Sequence, residues 1–245
     1  MSARYDQIGR TYAKKRQPDP RIAAQIEAAL RDVRSVLNVG AGTGSYEPTT
    51  VDGVAIEPSA VMISQRPPTA FPVIQARAEK LPLADRCVDA VMAVMTLHHW
   101  SDVALGLTEM QRVARRTVMI MTCDPDHEGF WLDDYLPGRR DLDQNDMPSL
   151  DWIENQFGSI EVQTIPVPFD CEDGFYGAYW RRPAAYLDPS VRDSISVFSR
   201  LDDVDYGLAS LQSDLETGLW ESRYGSVREH ETLDVGYRLL IARIN

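Results

Sequence analysis

His98 and His99 are half of the four histidines in the chain, and they stand directly after an apolar run, Val88 to Met95, broken only by Asp89. A histidine titrates near neutrality and can take a proton from a hydroxyl or an amine, although one imidazole can equally cap a helix while the other packs beside Trp100. Asp124 follows the next apolar run. A carboxylate there can serve the histidines, or it can form an Asx turn before Pro125. Upstream, Gly40, Gly42 and Gly44 in LNVGAGTGS let the backbone bend sharply and approach a ligand where any Cβ would collide. Glu57 comes 17 residues after Gly40, at the end of VAIE, where a carboxylate can accept hydrogen bonds from both hydroxyls of a ribose. Tyr12 and Arg16 lie four apart, on one side of an opening helix. Phe175, Tyr176, Tyr179 and Trp180 in DGFYGAYWRRP are spaced either to fill a core or to wall a pocket and exclude water.

These residues must be held by strands and helices that alternate. Asp19 and Pro20 make an N-cap and first turn for a helix whose apolar face is Ile22, Ile26, Ala29 and Val33. Strands are expected at Ser35 to Val39, Val51 to Ile56, Val73 to Ala76, Val88 to Met95, Thr117 to Met121, Ile160 to Val167 and Tyr237 to Ile244. Helices are expected at Ala60 to Gln65, along Val103, Leu107, Met110 and Ala114, at Ile153 and Phe157, and along Leu208, Leu211, Leu215 and Leu219. Only 11 residues, Gly40 to Thr50, separate the first two strands, and Pro48 lies among them, so that crossover is abbreviated. Alternation of this kind specifies an α/β, doubly wound, Rossmann-like sheet with ligands gathered at the carboxyl ends of its strands.

A length of 245 residues, 44% hydrophobic and 25% charged, suits one globular domain. Its expected parts are an opening helix over 1–17, a core over 18–168, an insertion over 169–235 and a last strand over 236–245. Asp and Glu number 37 against 25 Lys and Arg, for a net charge of -12, which makes nucleic acid a poor partner. No apolar run approaches a membrane span and the first ten residues lack a signal core, so a cytoplasmic protein without membrane attachment is expected. Cys87, Cys123 and Cys171 fall outside disulfide or zinc-ligand spacing, and no metal site is expected.

Four segments in order, YDQIGRTYAKKRQPDPRI, VLNVGAGTG with VAIEPSAVM, VIQARAEKLPLADRCVDAV, and MTLHHWSD, resemble the class I S-adenosylmethionine-dependent methyltransferases of the small-molecule, UbiE-like type. The likeness covers about the first 125 residues. It implies a seven-stranded sheet, mostly parallel with a C-terminal antiparallel strand, and an insertion that caps the sheet edge and carries acceptor specificity. It implies S-adenosyl-L-methionine as cofactor. Gly40, Ala41 and Gly42 would flank its methionine part, Glu57 hold the ribose, Met62 pack on adenine, and Ala78, Glu79 and Thr96 complete the site. Arg77 stands where an Asp is frequent, and Asn38 replaces another frequent Asp with a neutral amide. The helix carrying Tyr12 and Arg16 would close over the cofactor, the guanidinium clamping its carboxylate. His98, His99 and Asp124 would be catalytic, and Phe175, Tyr176, Tyr179 and Trp180 would wall the acceptor. The expected reaction moves a methyl group to an oxygen, nitrogen or carbon of a small metabolite or natural product, in a monomer or homodimer. The alternatives are a noncatalytic cofactor-binding module and an NAD(P)-dependent reductase. The reductase is disfavoured by GxGxG in place of GxGxxG and by the lack of a Tyr four residues before Lys14, Lys15 or Lys80.

Overall fold

The computed structural model describes residues 16–244; Tyr5, Ile8, Tyr12 and the rest of residues 1–15 lie outside them. Asp19 opens helix α1 (Pro20–Ala29) as its sequence requires, accepting the Arg21 N–H at 2.9 Å with Pro20 in the first turn. Ile22 and Ile26 are its buried face. Then come β1 (Ser35–Val39), β2 (Asp52–Ile56), α2 (Ala60–Ser64), β3 (Val73–Ile74), β4 (Val88–Val94), α3 (Val103–Val113) and β5 (Ala114–Cys123). The second half holds α4 (Gly138–Asp146), α5 (Leu150–Phe157), β6 (Glu161–Thr164), β7 (Val167–Pro168) and α6 (Pro189–Arg192). It ends with α7 (Val204–Thr217), α8 (Leu219–Tyr224), β8 (Thr232–Leu233) and β9 (Tyr237–Arg243).

Seven strands form one sheet in the order β3-β2-β1-β4-β5-β9-β6, parallel except for β9, which runs against both neighbours. The expected sheet is therefore observed. Along β5, Met119 and Met121 enter one core while Val118 and Ile120 enter the other, so both faces are covered. The strand order reverses between β1 and β4, and that switch point leaves a crevice at the carboxyl ends.

Departures from expectation have physical reasons at particular residues. The strand expected over Ile160 to Val167 is split: β6 joins the main sheet, β7 pairs with β8 separately, and Pro166 between them has no N–H to continue a ladder. Gly218, at φ 77°, ends α7, so Leu219 starts a new helix and is 46% exposed instead of extending the Leu208 and Leu211 stripe. The segment before α4 packs with residues 169–235. Trp131 donates its Nε1–H to the Trp180 carbonyl at 2.8 Å and meets Trp220 edge to face at 5.2 Å, which packs the segment before α4 into the same apolar cluster.

No helix forms in the short crossover between β1 and β2; a buried ion pair staples it instead. Glu47 accepts from Asn38 Nδ2 at 3.1 Å, Arg66 Nη2 at 2.6 Å and the Phe71 N–H at 2.8 Å, while Arg66 Nη1 donates to the Gly42 carbonyl at 3.0 Å. Both side chains of the pair are 5% exposed. Arg66→Ala would leave Glu47 as a buried carboxylate without its cation, and urea denaturation should show a loss of about 3–5 kcal/mol. A loss below about 1 kcal/mol would mean that the crossover holds itself.

Candidate active site

The crevice is floored by the turn after β1. Gly40 and Gly42 have φ of 72° and 53°, and a Cβ on Gly40 would sit 2.1 Å from Thr96 Oγ1, so glycine is required by both backbone and neighbour. Glu57, 6% exposed, ends β2 and ties this turn to α2: one carboxylate oxygen accepts the Gly42 N–H at 2.8 Å and the other the Ser59 N–H at 2.8 Å. Glu57 also lines the crevice, where a carboxylate is an acceptor for a ligand's hydroxyls. The resulting cavity, of about 320 Å³, is lined by Arg16, Gly40, Ala41, Gly42, Glu57 and Met62, and on the β4 side by Ala78, Glu79, Thr96, His98 and His99. All the cofactor residues expected from the sequence that fall among the described residues therefore meet at one cavity. Glu79 is also structural. Its Oε1 accepts from the Ser101 N–H and hydroxyl at 2.6 and 2.7 Å, and these bonds outweigh burial and hold its carboxyl below the usual range.

A second cavity, of about 80 Å³, abuts the first under the cap, and the two share Arg16, Met95 and His98. Met95 follows β4 with φ 50°, a strained conformation for a residue with a side chain, at the place where the two cavities meet. Phe175 and Tyr176 line the smaller cavity as expected. Tyr179 and Trp180 line neither cavity: Tyr179 lies under the Arg182 guanidinium at 4.8 Å, and Trp180 is fully buried, donating Nε1–H to the Val167 carbonyl at 2.9 Å. A four-residue 3-10 helix, Tyr176–Tyr179, turns the cluster so that only its first members face the cavity.

The histidines occupy a one-turn 3-10 helix, Leu97–His99, with ring centroids 3.7 Å apart. They are not equivalent, since His98 lines both cavities and His99 only the larger. Asp124 is not at the site. It lines neither cavity, accepts the Asp126 N–H at 3.1 Å in an Asx turn and faces Arg238 at 3.7 Å. Arg16 lines both cavities, and its Nε and Nη2 lie 2.6 and 3.3 Å from the two oxygens of Asp173, so its fork also ties the cap. Asp173 further accepts the Tyr46 hydroxyl at 2.9 Å. Residues not anticipated from the sequence include Cys123, Arg139, Asp143, Met147 and Tyr237, all of the smaller cavity.

The methyltransferase domain family matches residues 37–121, the stretch from β1 to β5. A solved structure from Anabaena variabilis, described as a methyltransferase from an antibiotic biosynthesis pathway, is 33% identical and superposes with a TM-score of 0.85, over 93% of this chain and 98% of that one. An uncharacterized methyltransferase of Mycobacterium tuberculosis is 38% identical over 34% of this chain and 36% of its own length. The uncharacterized protein YafE of Escherichia coli is 28% identical over 46% of this chain and 58% of its own. The match to these two curated relatives thus spans about a third to a little over half of their length. The sheet, the glycine turn and these likenesses place the chain in the class I S-adenosylmethionine-dependent methyltransferase family. S-adenosylmethionine is its cofactor.

The larger cavity fits that molecule on its own chemistry. Besides the glycine cradle, its lining includes Asn38, whose buried Oδ1 has no hydrogen-bond partner among the described residues and is an acceptor of the kind a cofactor ammonium requires. Among the described residues no helix is long and apolar enough to cross a membrane.

Proposed function

We propose that this methyltransferase acts on a small-molecule acceptor, held in the smaller cavity with its reactive atom at the junction of the two. The observation that carries this reading is the junction itself, formed by Arg16, Met95 and His98. The net charge of -12 and the small size of the second cavity, about 80 Å³, both favour a metabolite over a nucleic acid. The Anabaena relative's place in an antibiotic biosynthesis pathway agrees with a natural-product acceptor.

In this reading Gly40, Ala41 and Gly42 bring backbone against the methionine part of the cofactor, Asn38 accepts from its amino group, Glu57 holds the ribose hydroxyls, and Met62, Ala78 and Glu79 surround the adenine. Thr96 buttresses the glycine turn. The cofactor supplies a methyl group already activated on a sulfonium. What falls to the protein is alignment of the acceptor and removal of its proton. His98 is the residue positioned to take that proton.

Incubation with S-adenosylmethionine carrying a labelled methyl group, against a cell extract divided into low-mass and macromolecular fractions, tests the reading. Label should enter the low-mass fraction; label confined to RNA or protein would overturn it. Glu57→Ala should weaken S-adenosylhomocysteine binding by about 10- to 100-fold in calorimetry, the loss expected for hydrogen bonds to a charged group. Unchanged affinity in a folded variant would remove Glu57 from the cofactor site.

A further inference from the structure

The wall of the smaller cavity that is not shared with the larger one carries a buried charge cluster. Arg139 donates Nε–H and Nη2–H to the two oxygens of Asp133 at 2.7 and 2.6 Å, and Nη1–H to Asp143 at 2.5 Å. All three residues are nine-tenths or more buried. One guanidinium against two carboxylates leaves a formal charge of -1, and the fork of Asp133 with Arg139 already matches one pair. Asp143 lines the cavity while Asp133 does not, so with both carboxyls ionised the excess negative charge faces the space. Arg16, the other cation of the lining, is already paired with Asp173.

A second observation is independent of charge. Tyr176, 8% exposed, lines the same cavity, and its buried hydroxyl has no hydrogen-bond partner among the described residues. Buried hydroxyls in folded proteins are nearly always bonded, and a molecule in the cavity that Tyr176 lines is one source of the missing partner. Burial pushes its titration well above the ordinary phenol range, which keeps it a neutral group able to accept as well as donate. Phe175 and Tyr237, edge to face at 4.6 Å, add aromatic surface of the kind that attracts cations.

We propose that the smaller cavity anchors the acceptor through a protonated amine, with Asp143 as counter-ion and the Tyr176 hydroxyl as hydrogen-bond acceptor. This rests on the reading of that cavity as the acceptor's. The ammonium is the handle and not the methylated atom, because Asp143 and Tyr176 line only the smaller cavity while the two cavities meet at Arg16, Met95 and His98. A carboxylate or phosphate in the same place would confront Asp143 and is refused.

Full-length protein saturated with S-adenosylhomocysteine, titrated with n-butylamine, n-butanol and n-butyrate and followed by saturation-transfer NMR, tests the inference. Butylamine should bind about tenfold or more tightly than either competitor, as a charge-assisted hydrogen bond implies. Asp143→Asn should abolish that preference. Tyr176→Phe should weaken butylamine several-fold without lowering the melting temperature, because the hydroxyl it removes bonds nothing in the described protein. S-adenosylhomocysteine affinity should be unchanged in both variants; if Asp143→Asn does not fold, Tyr176→Phe decides alone. Equal binding of the three probes, preference for butyrate, or amine binding indifferent to the folded variants overturns the proposal. The labelled-methyl fractionation separates the two readings: label in the low-mass fraction without an amine preference defeats this inference and leaves small-molecule methylation standing.

Discussion

Replacing His98 with alanine should lower kcat by about 10²- to 10⁴-fold, the usual contribution of a positioned general base, while S-adenosylhomocysteine affinity changes little. His99→Ala should cost far less. The difference comes from the one-turn helix on which both stand: buried Leu97 anchors it, the His99 N–H is held by the Thr96 carbonyl at 2.9 Å, and the turn carries only His98 to the junction of the two cavities. Proton transfer requires the base within hydrogen-bond reach of the acceptor, and an acceptor in the smaller cavity has His98 in its wall and not His99. Steady-state kinetics with the identified acceptor, including the acidic limb of the pH–rate profile, distinguishes the two. Full turnover in His98→Ala would mean that methyl transfer here runs on alignment alone, and equal losses in both variants would remove the distinction between the two histidines.

What the sequence makes legible is local. The glycine turn after β1, the carboxylate ending β2 and the paired histidines after β4 are read from short-range chemistry, and the doubly wound topology brings the carboxyl ends of those strands to one crevice. Spacing alone does not say which face of a short turn looks inward. That is why Phe175 and Tyr176 reach the cavity while Tyr179 and Trp180 do not. Asp124 illustrates the same ambiguity: position after a strand is shared by catalytic and turn-forming aspartates, and its backbone geometry chooses the turn. The contact of Arg16 with Asp173 is not legible, because Asp173 lies 157 residues away in the chain. Least legible of all is GRRDLDQND, over which no element is expected from the sequence. Only the packing of α4 under the aromatic cap reveals that Arg139 and Asp143 are buried.

Arg139→Met should destabilise the protein by about 3–5 kcal/mol at neutral pH, because it leaves Asp133 and Asp143 buried without their shared cation. Burial already pushes both carboxyls above their ordinary range and Arg139 offsets only part of that. For an acid whose folded pKa is raised, the stability it contributes is fully present below the unfolded value, near 3.9, and is lost as pH rises through the folded one. Removing the guanidinium raises the folded values further. The deficit relative to wild type should therefore be small in acid, where both carboxyls are protonated, and should widen toward neutrality. Combining Arg139→Met with Asp133→Asn and Asp143→Asn should recover most of the loss, since replacing a buried ion cluster whole costs far less than breaking it. Urea denaturation across that pH range, applied to wild type, the single variant and the triple variant, measures both effects. A deficit independent of pH would show that the cost is lost packing of Arg139 over the Tyr176 ring, 5.5 Å away, and not uncompensated charge. Because Arg139 lines the smaller cavity and not the larger, S-adenosylhomocysteine affinity of the folded variant should match wild type.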